Sequence, residues 1–256
     1  MASELNREGS VIYLYGITES KPTTISELAG VDPSVEVMAV RCGELYAWAS
    51  AVPEQDFGSS LAANMENLDW LAETSVAHQR VVAAIAGRTE ILPARLGTVF
   101  RNQISLCKHV SRRARTLKRD FARIKGADEW GVKVFEIDSR LLPPKIRTGK
   151  DYLQAKAALV PKRREKDAES NEKIAKFERA LAALASETAS GGSVSRGQRG
   201  LAYQATLLIK RSKRKELESM LEKFARAWRE RFRIECTGPW PPYSFVSRAD
   251  DGIRAK

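Results

Sequence analysis

The stretch Gly238-Pro239-Trp240-Pro241-Pro242 leaves the backbone few conformations. Each proline fixes φ near about −65° and removes a hydrogen-bond donor. Just before it, Phe232, Ile234 and Cys236 alternate with Arg233, Glu235 and Thr237, which is the period of a strand. The expectation is a short last strand that stops at Gly238, because three prolines cannot continue a ladder. Trp240, Tyr243 and Phe245 then sit in a stiff frame. Two readings stay open for them. One is a structural plug that closes the last domain, and it is preferred. The other is a set of aromatics presented to a partner.

The first half of the chain alternates strand and helix patterns. Residues 10–17 are dense in β-branched and aromatic side chains and predict a strand, with Gly16 ending it or allowing close backbone approach. Residues 35–40 and 45–52 flank the turn Arg41-Cys42-Gly43-Glu44 and predict a hairpin. Ser59 or Ser60 is placed to cap a helix from Leu61. A longer helix is expected from Asp69 to Ala86, with Leu71, His78, Val82 and Ile85 on one face. Residues 91–100 read as extended, and Pro93 puts them at an edge, a bulge or a strand end. Over residues 103–125 the helical period is most regular, with Cys107, Val110, Ala114, Leu117, Phe121 and Ile124 stepping by three and four.

In the second half, residues 130–137 are partly apolar on both faces and predict a buried strand of a covered sheet. Leu141-Leu142-Pro143-Pro144 is a break. Thr148 and Asp151 form a capping-box pattern for a helix interrupted at Pro161. Helical period resumes at Ile174, Phe177, Leu181 and Leu184. That stripe is narrow on a charged helix, so it suits a helical arm or a coiled-coil contact better than a globular core. Residues 186–200 are of low complexity and predict a flexible loop. Residues 201–209 read as a strand. The helix 213–230 carries Leu217, Leu221, Phe224 and Trp228 on one face. The resulting fold class is α+β, helices on one face of a mostly antiparallel sheet. Two domains are expected, residues 1–127 and 128–247, the second with its helical arm, followed by a frayed tail 248–256.

Charge and cysteines bear on partners and setting. The 43 Lys and Arg outnumber 32 Asp and Glu, a net charge of +11. That balance fits nucleic acid, an anionic surface or an acidic partner. No apolar run approaches the ~20 residues of a membrane span, and no apolar core of a leader follows Met1, so a cytoplasmic protein is expected. Cys42, Cys107 and Cys236 have no metal-ligand spacing. Each lies in an apolar pattern, which predicts buried free thiols in a reducing compartment.

Chemistry finds few candidates. His78 falls on an apolar helix face and reads as a hydrogen-bonded core histidine; His109, beside Lys108, reads as a surface residue. Neither accompanies a nucleophile elbow, and phosphate-loop and dinucleotide glycine patterns do not occur. The chain is read as non-enzymatic, with no catalytic, cofactor-binding or metal-ligating residues. The alternative is a basic nucleic-acid-binding module built on Arg112, Arg113, Arg115, Lys118 and Arg119. A solvated amphipathic helix is the preferred reading of those cations.

Six segments then fall into a familiar order. They are Tyr15-Gly16-Ile17, His78, Ile91-Leu92-Pro93-Ala94-Arg95-Leu96-Gly97-Thr98-Val99-Phe100, Glu129-Trp130-Gly131-Val132-Lys133-Val134, Gly149-Lys150-Asp151-Tyr152-Leu153 with Lys156, and Thr237-Gly238-Pro239-Trp240-Pro241-Pro242-Tyr243-Ser244-Phe245. The chain in this respect resembles the GvpF/GvpL family of gas vesicle proteins. Leu96 departs from the family, which usually has Phe there, and the charged arm around Pro161 is less typical. The resemblance implies a ferredoxin-like N-terminal domain and an α+β C-terminal domain with a helical arm. It implies an accessory, minor component of gas vesicles, the gas-filled protein shells that give cells buoyancy. It also implies contact with the hydrophobic shell protein GvpA, keeping it from aggregating during nucleation, and with other gas vesicle proteins. The candidate contacts are Trp240, Tyr243 and Phe245, and the arm face Ile174, Phe177 and Leu181.

Overall fold

Eight of the nine residues of strand β1, Ser10–Thr18, are buried. A strand buried on both faces belongs in the middle of a covered sheet. In the computed structural model, which describes residues 8–21, 28–137, 168–190 and 198–247, β1 holds that position. It pairs antiparallel with β3 (Leu45–Pro53), which pairs antiparallel with β2 (Met38–Cys42). β4 (Ile91–Pro93) and β5 (Val99–Phe100) pair antiparallel with successive stretches of β1. Pro93 thus lies at the edge of the order β2-β3-β1-β4, where its missing N–H costs no ladder bond. That order is compatible with a ferredoxin-like sheet. The connection from β1 to β2 passes through residues 22–27, outside the described residues.

Three α-helices among the described residues belong with this sheet. The first, α1 (Leu61–Asn64), is a single turn, and Ser60 makes no side-chain cap. Asn67 instead caps α2 (Leu68–Ala86), accepting from the N–H groups of Asp69 and Trp70. Val81, Val82 and Ile85 of α2 pack with Val11, Tyr13 and Tyr15 on one face of β1. α3 (Gln103–Ile124) opens with a capping box between Asn102 and Ser105. Its Leu117 lies with Leu14, Ile17 and Leu92 on the opposite face. A layer on each side explains why β1 and β3 show no solvent-facing alternation.

β6 (Ala127–Glu136), β7 (Glu187–Ser190), β8 (Leu201–Lys210) and β9 (Phe232–Trp240) make a second sheet, ordered β7-β8-β6-β9. β7 and β8 are antiparallel. The helix α4 spans the described helical residues 168–184, and α5 spans Arg214–Trp228. One core joins Trp130, Val132 and Val134 of β6, Leu207 and Ile209 of β8, Phe177, Leu181 and Leu184 of α4, and Leu217 and Trp228 of α5. The chain groups into two units, one running to Glu129 and resuming at Pro239, the other Trp130–Gly238.

Several expectations change. Phe177 and Leu181 are fully buried and Ile174 packs against the same core, so this face of α4 is interior and not a free arm. A narrow stripe sufficed because a sheet and α5 cover it. The break at Leu141–Pro144 and the first part of the arm lie outside the described residues. The expected loop 186–200 begins as strand β7, since Glu187–Ser190 find an open edge of β8. β6 is buried at alternate positions rather than on both faces. β9 continues through Gly238 and Pro239 to Trp240, which an edge strand tolerates. Cys42 and Cys107 are not free thiols: they form a disulfide between β2 and α3. Cys236 is free but exposed.

Phe177 stands edge-on to Phe224 and Tyr203 and tilted to Trp228. Phe177→Ala is expected to cost about 3–5 kcal/mol, transfer and cavity terms together. Urea unfolding followed by fluorescence measures it.

Candidate functional site at the clamped C-terminal segment

The site is built outward from β1. A bulge falls between Leu14, which pairs with Ala49, and Gly16, which pairs with Trp48. Tyr13 and Tyr15 both turn toward α2. Gly16 lets the edge strand close in: a Cβ there would meet Ile91 Cδ1 at 2.6 Å and the Leu92 carbonyl oxygen at 2.8 Å. With β4 that close, the following turn delivers Gly97, at φ +73°, to the Tyr13 ring. The Gly97 N–H donates to the Tyr13 hydroxyl at 3.2 Å. That hydroxyl lies 3.0 Å from Nδ1 of His78.

His78 is 3% exposed, and burial lowers its pKa to about 4, partly offset by the backbone of Ala94. Burial pushes the Tyr13 phenol up. The phenol stays protonated and the imidazole neutral, and the hydroxyl and Nδ1 share one hydrogen bond whose direction follows the imidazole tautomer. The Tyr15 ring stacks on His78 with centroids 5.7 Å apart. Its hydroxyl accepts from the Val31 N–H at 2.8 Å and bonds Ser50 at the same distance. His78 is therefore a core histidine, as its helix face predicts.

The C-terminal segment closes over this cluster. Tyr243 brings its ring to 6.3 Å from His78 and packs with the β1–α2 core. Two carboxylates hold the backbone beside it, each gripping one serine twice. Glu129 accepts from Ser244 N–H at 2.7 Å and Oγ at 2.9 Å. Asp120 accepts from Ser247 N–H at 2.9 Å and Oγ at 2.7 Å, and pairs with Arg123 at 3.0 Å. Arg123 also donates to the Phe245 carbonyl and Arg113 to the Ser247 carbonyl. Burial raises the Glu129 carboxyl, and the Ser244 bonds oppose that shift.

Of the six proposed contact residues, Phe177, Leu181 and Phe245 are interior. Phe245 is 2% exposed and Tyr243 is half-buried, while Trp240 is 40% exposed. The segment groups with the first unit. Among the cations of α3, Arg113 serves the clamp and Lys118 pairs with Glu44, while Arg112, Arg115 and Arg119 are exposed or nearly so. His109 is half-buried against Phe100 rather than a surface residue. A cavity of about 220 Å³ lies between Leu14, Leu92, Leu117 and Val246, with Arg95 and His109 among its lining. It is below the ~300–1,000 Å³ of small-molecule sites. No group of three His, Cys, Asp or Glu placed to hold a metal occurs among the described residues.

Sequence reasoning missed the serine clamp. Its signal was present: Asp120 is the sole acid in the cationic helix 103–124 and lies beside the apolar stripe. Asp120→Ala strips Ser247 and Arg123 of their acceptor, an expected loss of roughly 2–4 kcal/mol. A lower melting temperature and faster chymotryptic cleavage near Tyr243 report it. His78 supplies a second expectation. Its folded pKa is lowered to about 4 from an unfolded value of about 6.5. The unfolded state binds the extra proton between those values, so stability falls as pH drops through that window, by roughly 3 kcal/mol in all. His78→Gln should flatten that part of a pH–stability curve.

The profile of the gas vesicle synthesis protein GvpL/GvpF family matches residues 11–247. Gas vesicle protein L of Streptomyces sp. (strain CB03234) is 29% identical over 258 residues, 94% of each chain. The crystal structure of GvpF from Anabaena sp. PCC7120 superposes with a TM-score of 0.67 at 20% identity, covering 94% of this chain and 99% of that one. GvpF from Microcystis aeruginosa gives 0.65 at 19% identity, over 93% and 99%. The two solved structures share the α+β fold, and the profile spans both of this chain's units: the chain belongs to the GvpL/GvpF family of gas vesicle proteins.

Proposed function

We propose that this chain is an assembly factor or minor structural component of gas vesicles that binds the hydrophobic shell protein GvpA and keeps it from aggregating during nucleation. The gas vesicle association itself follows from the family. The observation that supports a contact at the C-terminal end is the exposure of Trp240, held between Pro239 and Pro241 just ahead of a clamped backbone. A rigid aromatic loses little conformational freedom on binding. Phe177, Leu181 and Phe245 are interior and are withdrawn as contacts; Ile174 and Tyr243 support the cores. The site of action proposed is the gas vesicle within the cytoplasm. Nothing favours the nucleic-acid reading.

The test is co-purification of the folded protein with tagged GvpA, alongside light scattering of GvpA alone and with the chain. Trp240→Ala is expected to leave the melting temperature within a few degrees and to weaken GvpA capture about tenfold or more, the range of a central aromatic contact. Absence of any association between the wild-type chain and GvpA or isolated vesicles would sink the proposal. Capture unchanged in the variant would remove Trp240 from it.

A further inference from the structure

Helix α2 turns an apolar line outward. Leu68 is 78% exposed and Val76 67%. Ala72 and Ala83 are exposed with them. At about 100° per residue these four fall within an arc of about 80°, opposite Thr74, His78, Val81 and Ile85, which face the core. Beside Val76 lies a shallow hollow lined by Ala72, Glu73, Ala77 and Arg80. Glu73 and Arg80 are exposed and have no ion-pair partner among the described residues.

The placement of those two charges identifies the occupant. Along the helix axis Glu73 lies about 4.5 Å before Val76 and Arg80 about 6 Å after it, on the same flank. A two-fold axis at Val76, set between two antiparallel copies of α2, exchanges the two heights. Glu73 of each copy then meets Arg80 of the other. Across the opposite flank Leu68 reaches the level of Ala83, about 12 and 10.5 Å from the centre. Val76 meets its own counterpart, and Ala72 and Ala77 leave room for the approach. One patch that complements itself in charge and shape is the requirement of an isologous interface. We propose that this face of α2 binds the same face of a second copy of the chain.

A single helix pair covers less than the ~800 Å² per partner of standard stable interfaces, so the association is concentration-dependent. Sedimentation equilibrium of the full chain over a range of concentrations tests it. The expected result is a shift from the 28.5 kDa chain mass toward twice that value. Val76→Asp should weaken dimerisation at least tenfold with the melting temperature unchanged, because the side chain is in solvent. Glu73→Arg should weaken it, and the double variant Glu73→Arg with Arg80→Glu should restore it. A chain that stays monomeric at every concentration overturns the proposal. So does a dimer indifferent to Val76→Asp, or a charge swap that fails to restore association.

Discussion

A single oxygen, the Tyr13 hydroxyl, ties three separate stretches of the first unit together. It shares a hydrogen bond with His78 on α2 and accepts from Gly97 in the turn after β4. In a buried setting each of these bonds is costly to leave unmade, so strand, helix and turn must arrive at mutually consistent positions. Gly16 is the precondition, since only a residue without a Cβ admits Ile91 and Leu92 at their observed approach. The His78 ring thus fixed becomes part of the floor on which Tyr243 rests. The aromatic ending of the chain has a binding surface only because that hydroxyl is satisfied first.

What was legible in the chain was what is local. The period of residues 103–125 named the buried face of α3 correctly at Val110, Leu117, Phe121 and Ile124. The hairpin around Arg41–Glu44 and the edge position of Pro93 followed from turn and proline chemistry. The stripe at Phe177 and Leu181 was found as well, but not its cover, because a helical period says which side is apolar and nothing about what lies against it. The disulfide was invisible for a related reason. Cys42 and Cys107 are 65 residues apart, and only the layering of α3 on the sheet brings them together. Pro239 was judged by the rule for central strands, whereas β9 is an edge.

The segments that carry the family resemblance concentrate where side chains are bonded or buried. Tyr15, Gly16, His78, Gly97, Glu129, Tyr243 and Phe245 all contribute to the β1–α2 core or to the clamp. They describe how this fold is held and leave recognition to the surface. Among the described large hydrophobic residues of those segments Trp240 is the exposed one, and Val76 and Leu68 show that apolar surface also lies outside them.

The path of the chain has a consequence for how the molecule is made. Residues 130–238 leave the ribosome before Pro239 and everything after it. The second unit is therefore complete in sequence while the first still lacks Tyr243, Ser244, Phe245 and Ser247. Until those residues emerge, Glu129 and Asp120 have no serines to bind and the aromatic cluster around His78 stays open. The usual order, in which the N-terminal part of a nascent protein finishes first, is reversed here. A chain that has emerged only through Gly238 carries every residue of the second unit and none of the serines that complete the first.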